Sequence, residues 1–143
     1  MKLLVKKIEA DMMKGIQTFF IFLFVFSFYG LRGQNDLQIP EQVILALKNG
    51  NAHELSFFFG NTLELTILNK EEVYSKSQAE IILKDFFRKN PPDEFELVHQ
   101  GNGEKTVYAI GNLTCSTKTY RIYFLLKQNY SRLQMHQLRI ETE

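Results

Sequence analysis

A single cysteine, Cys115, stands in the whole chain of 143 residues. One thiol cannot close an intrachain disulfide, and no Cys/His spacing resembles a zinc site. Cys115 falls in an alternating apolar stretch, where a small buried or half-buried side chain is its expected role. An excess of either charge is also missing, since the formal net charge is +1. Nucleic-acid binding, which rests largely on neutralising phosphates, is disfavoured by that balance. The chain has no internal repeat and no low-complexity tract. What is there, 45% hydrophobic and 23% charged residues, is the balance of a globular chain rather than a disordered one. The length suits one domain.

The charge is unevenly placed. Residues 1–33 carry Lys2, Lys6, Lys7, Lys14 and Arg32 against Glu9 and Asp11, which leaves 12 basic and 14 acidic side chains beyond them. The positive charge belongs to the leader, and the remainder is mildly acidic. From Phe19 to Tyr29 the leader is apolar and uncharged over 11 residues. That is shorter than the ~20 residues a membrane-spanning helix needs and matches the ~7–15-residue core of a secretory signal. Lys14 supplies the positive flank, and Gly30 and Gly33 supply small residues behind it. Residues 1–33 therefore read as a signal peptide cleaved after Gly33, leaving Gln34 first, although Leu31 is large for a position near the cut. Extension through Ile16 and Leu31 gives the alternative, an uncleaved inner-membrane anchor. No cysteine ends the apolar run, which argues against a lipoprotein. Glu9 and Asp11 are foreign to a signal's basic head, so Met12 or Met13 makes a cleaner start than Met1.

Residues 34–143 read as a single domain. Pro40 opens a helix in which Val43, Ile44 and Leu47 share a face, and Asn49-Gly50 stops it. Asn51 caps a second short helix with Glu54 three residues on; Ala52, Leu55, Phe58 and Phe59 form its apolar side before Gly60. Leu63–Leu68 alternates as a strand, Asn69–Glu72 turns, and Val73-Tyr74 is a short pairing strand. Ser75 with Gln78, or Ser77 with Glu80, offers a capping box for the strongest helix. There Ala79, Ile82, Leu83, Phe86 and Phe87 make a wide apolar stripe, opposed by Glu80, Lys84, Asp85 and Arg88. Asn90-Pro91-Pro92 ends it. Four strands follow in a meander: Phe95–Gln100, Thr106–Cys115, Thr119–Lys127 and Arg132–Glu141. Tyr120, Ile122, Phe124 and Leu126 fill one face of the third, while Tyr123 and Leu125 make its other face apolar too. In the last strand the apolar phase changes between Met135 and Leu138, which implies a β-bulge near His136–Gln137. Helices on one face of a curved, mostly antiparallel sheet make a two-layer α+β domain.

That order resembles the cystatin-like α+β roll of the nuclear-transport-factor-2-like superfamily. More narrowly, several segments resemble an uncharacterised, DUF4783-like family of Bacteroidetes-type bacteria. They are Ile39-Pro-Glu-Gln-Val, Leu63–Leu68, Tyr74–Glu80, Leu83–Pro92, Tyr108–Gly111 and Tyr120–Lys127. The likeness covers roughly residues 37–141. It implies a Gram-negative exported protein and a cone-shaped pocket between sheet and helices, and it carries no catalytic residue across.

Isomerases and cyclases of that superfamily need a carboxylate base in an apolar pocket, with a phenol or protonated acid to hold an oxyanion. No Asp occurs after Asp93, Asp85 falls on the polar side of its helix, and Glu64 and Glu96 alternate with apolar neighbours toward solvent. Glu141 lies at the C-terminal end. No catalytic residue, metal ligand or cofactor is therefore assigned. His53, His99 and His136 fit no metal spacing, and Gly101-x-Gly lies in a hairpin rather than a phosphate loop. The pocket candidates are Tyr74, His99, Tyr108, Tyr120 and His136, the tyrosines because a buried phenol seeks a partner. Phe57–Phe59 is read as core and hinge packing. The expected function is that of an exported, periplasmic or secreted, non-catalytic binding or interaction module. Its partners would be a small apolar ligand in the cone or a second copy on the outer sheet face. A small-molecule isomerase or cyclase in the same pocket is the alternative.

Overall fold

A computed structural model of the chain describes residues 1–27, 36–116 and 118–143. Residues 1–35 and 36–143 form separate units. In the first, helix α1 spans Lys2–Ser27. Among the described residues no helix is long and apolar enough to cross a membrane. The end of the apolar run at Phe28-Tyr29 and the expected cleavage site after Gly33 lie outside the described residues.

The second unit begins with two short helices, α2 (Glu41–Lys48) and α3 (Ala52–Ser56). Pro40 stands at the cap of α2, one position outside the expected first turn. Asn51 caps α3 by accepting a hydrogen bond from the Glu54 amide at 3.1 Å, satisfying an amide that has no partner within the helix. The α3 helix ends before the aromatic run, not at Gly60. Phe59 and Gly60 already belong to strand β1 (Phe59–Ile67), because pairing with the sheet supplies the backbone partners that a longer helix would have given. Phe58 is half-buried and Phe59 buried, but Phe57 is 60% exposed. Its ring meets His53 edge-on at 4.9 Å, and the Lys76 ammonium lies 5.9 Å from its centroid. The expectation of core packing thus fails for Phe57 alone.

Strand β2 (Lys70–Ser75) returns antiparallel to β1 with Ile67 opposite Lys70. The turn is therefore only Leu68-Asn69, tighter than the expected Asn69–Glu72. Leu68 takes a left-handed φ of 56° and donates its amide to Ile140 O at 2.7 Å. Helix α4 (Lys76–Lys89) starts at the Ser75/Gln78 capping box, not at Ser77/Glu80. Ala79, Leu83, Phe86 and Phe87 bury the expected stripe. Strands β3 (Glu94–Asn102), β4 (Thr106–Cys115), β5 (Lys118–Asn129) and β6 (Arg132–Thr142) form the expected meander.

The strands lie in the order β2-β1-β6-β5-β4-β3, and β1 runs parallel to β6. The result is an open, mixed sheet of α+β type. Along β5 the pairing passes from Leu125 opposite Gln137 to Leu126 opposite Met135. His136 is the extra residue of a bulge, where the change of apolar phase placed it. A second shift lies between Leu97 and His99 in β3, which leaves Val98 as the extra residue there. One face of the sheet, with Leu63, Leu65, Val107, Ala109, Leu113, Ile122, Phe124, Leu126, Leu138 and Ile140, meets Val43, Leu47, Leu55 and the α4 stripe in a single core. Period two then sends Tyr108, Ile110, Tyr123 and Leu125 to the opposite face, where they are half-buried.

Candidate functional site

A cavity of about 530 Å³ opens between α4 and the sheet, at the end where β2, β1 and β5 approach the helix. Four residues of α4 and its C-cap face it in register: Ile82, Asp85, Phe86 and Lys89, at i, i+3, i+4 and i+7, followed by Asn90. That spacing puts them on one side of a helix. Leu65 and Ile67 come from β1, Lys70 and Tyr74 from β2, and Lys118 and Tyr120 from β5, with Leu68 at the hairpin lip. Alternation explains the selection: Ile67 faces Lys70, Leu65 faces Glu72 and Leu63 faces Tyr74, so all six point to the helix side. The floor is apolar, with Leu65, Phe86 and Tyr120 buried and Ile67 and Ile82 half-buried.

The polar groups of the cavity are mostly engaged. Tyr120 donates its phenol to Asn90 Oδ1 at 2.8 Å, while Asn90 Nδ2 donates to Phe86 O at 3.0 Å. This pair ties the last turn of α4 to β5. Burial, and then the nearby Cys115, raises the Tyr120 phenol above its ordinary pKa. Tyr74 donates to Glu72 Oε2 at 2.9 Å, and Lys70 Nζ lies 3.7 Å from the same oxygen.

Asp85 does not sit on the far side of its helix as expected but at the cavity rim. Its two oxygens are held by Lys89 at 2.6 Å and Arg88 at 2.7 Å. Hydrogen bonds from Lys89 first and Arg88 second keep its carboxyl below the ordinary range. A carboxylate whose charged form is stabilised in this way is a weak base. Cys115 is buried, as its alternating surroundings suggested; burial first, and Asp93 second, push its thiol up. Thiolate chemistry is disfavoured there.

Of the five pocket candidates, only Tyr74 and Tyr120 reach this cavity. His99 and Tyr108 are brought together elsewhere, with Nε2 and the phenol oxygen 3.2 Å apart. They lie on the outer sheet face, since Tyr108 alternates with the buried Val107 and Ala109 and the β3 bulge carries His99 to the same side. Tyr108 continues the row to Tyr123, with ring centroids 6.2 Å apart. His136 is at the β6 bulge and half-buried, outside the cavity lining. Burial, and next the Lys127 charge, lower its pKa below 6.5. Strand membership was legible for these three, but the faces of His99 and His136 depend on registers that two bulges alter, whereas that of Tyr108 follows the plain alternation of β4. Conversely, Ile82, Lys70, Lys89 and Lys118 were missed as cavity residues. The i, i+3, i+4, i+7 series from Ile82 to Lys89 was the available signal.

A shallower depression of about 400 Å³ lies where α3 meets α4. His53 Nδ1 contacts Glu80 Oε1 there at 2.8 Å, and that bond is the chief cause of a lowered Glu80 carboxyl. Among the described residues no group of three or more His, Cys, Asp or Glu is placed to hold a metal ion.

Residues 40–141 match the domain of unknown function DUF4783. The chain belongs to this family. A DUF4783 family protein from Bacteroides ovatus, solved by crystallography, is 30% identical, with a TM-score of 0.71 over 73% of this chain and 96% of that one. A DUF4783 family protein from Bacteroides fragilis gives the same identity and TM-score over 74% and 100%. The designed protein Rd1NTF2_04 with long sheet is 12% identical, with a TM-score of 0.59 over 70% and 94%. That likeness concerns the fold alone, which is of the nuclear-transport-factor-2 type. No curated protein matches the sequence.

Proposed function

We propose that this DUF4783 protein is an exported, non-catalytic module that binds a small, largely apolar molecule in the cavity between α4 and the sheet. The observation that carries this reading is the cavity itself: about 530 Å³, within the ~300–1,000 Å³ of small-molecule sites, with an apolar floor and polar groups around it that are mostly engaged with one another. The absence of catalysis is supported by Asp85, the rim carboxylate, being clamped by two cations and held ionised. Export is supported by the leader's basic flank and 11-residue apolar core, with release to the periplasm or medium preferred over anchoring. Native mass spectrometry of the protein purified from its own envelope tests both parts. The expected species begins at Gln34 and carries a small molecule that the cavity-filling variant Ile82→Trp loses. A species that retains the apolar leader counts against release. Ligand-free protein, with no thermal upshift from any apolar compound screened, counts against the binding role.

The outer sheet face supports a second role, self-association. Tyr108, Ile110, Tyr123 and Leu125 form its half-buried apolar centre. Arg121 and Arg139 lie on the same face with Glu64, Glu71 and Glu141. Both signs on one patch suit a two-fold pairing of identical copies. Sedimentation analysis is expected to show a dimer that Tyr123→Arg dissociates. A monomer at high concentration would remove this role and leave the cavity untouched.

A further inference from the structure

We infer that the cavity takes an amphipathic monoanion, a carboxylate on an apolar chain, with the head group at Lys118 and the chain on the floor. This rests on the binding role proposed above and narrows it to a ligand class. Three ammonium groups, Lys70, Lys89 and Lys118, stand around the opening. Two of them already face carboxylates, Lys70 at Glu72 and Lys89 at Asp85. Lys118 has no ion-pair partner among the described residues, so its ammonium is the unpaired one of the three.

Its position follows from register. Lys118 lies opposite Cys115 and two residues before Tyr120, on the helix-facing side of β5. Lys118 is exposed and lines the cavity together with the buried Tyr120. Below it the apolar side chains of Leu65, Ile82 and Phe86 offer no donor or acceptor. A neutral apolar molecule would use the floor and ignore the charge. A strongly polar anion would use the charge and lose its hydration against the floor without compensation. A molecule with one negative end and an apolar body satisfies both.

The probes are decanoate, with decanol as its uncharged counterpart, titrated calorimetrically against the full chain and against Lys118→Glu and Ile82→Trp. Decanoate should bind more tightly than decanol, and added salt should narrow the gap as exposed charges are screened. Lys118→Glu should weaken decanoate about tenfold while leaving decanol unchanged, as reversal of one exposed charge allows. Ile82→Trp should remove both ligands. Equal binding of decanol and decanoate, or no response to Lys118→Glu, would overturn the head-group assignment and leave the cavity role standing. Decanoate binding that survives Ile82→Trp would place the anion elsewhere on the chain and overturn the inference. If neither probe binds, the cavity role and the ligand class fail together.

Discussion

At the scale of single residues, β3 and β4 pack closely where one side chain is missing. Gly111 lies on the core-facing row of β4, and a Cβ there would strike the Phe95 ring and come within 2.7 Å of the Glu96 carbonyl oxygen. The backbone oxygen cannot move without breaking the β3–β4 register. Gly111→Ala should therefore destabilise the protein by about 1–3 kcal/mol, the usual cost of overpacking, read as a lower denaturant midpoint with an unchanged slope. His136 gives a pH-dependent counterpart. Its folded pKa is lowered, first by burial and then by Lys127, so the unfolded chain binds the proton more readily. Stability should then rise with pH through the region below 6.5 and be lost as pH falls beneath that value. An NMR titration should place the His136 midpoint below 6.5, and His136→Gln should flatten that part of the stability profile.

At the scale of elements, α4 carries both the core and the candidate site, and its ends are held by different devices. At the start, the Gln78 amide donates to Ser75 Oγ at 3.3 Å and the Ser75 amide donates to Gln78 Oε1 at 3.1 Å. Ser75→Ala should cost about 1 kcal/mol, seen in thermal unfolding, and should loosen the first turn more than the last. At the other end, the Asn90 side chain joins Phe86 and Tyr120, which fixes the helix against the cavity. Both halves of α4 were legible in the sequence, because caps and 3.6-residue periodicity are local. The strand faces were not. His99 and Tyr108 meet on the outer face because of a one-residue bulge in β3, a feature that pairing with β4 creates.

At the scale of the whole molecule, burial is concentrated in the central strands and falls away at the two edges, β2 and β3. In β5 every second residue from Tyr120 to Leu126 is buried, whereas β3 buries Phe95 alone. Local opening is governed by such differences in buried apolar contact. Amide exchange should thus be fastest along the two edge strands, β2 and β3, and slowest in β4 and β5. Uniform protection across all six strands would contradict this gradient.

The sequence by itself determined the α+β class, the order of elements, the end of α4 at Asn90 and a bulge near His136–Gln137, since each is written in local periodicity or capping chemistry. The structure chose Ser75 over Ser77 as the start of α4. The sequence also carried the likeness to DUF4783 that the match over residues 40–141 bears out. Only the tertiary structure decided that β1 lies parallel to β6, that Phe57 stays in solvent, and that Asp85 stands at a cavity rim between two cations. It also decided that Lys70, Lys89 and Lys118, far apart in the chain, surround one opening. The physical reason is the same in each case: local pattern sets which residues share a face of one element, whereas a site is made where faces of several elements meet.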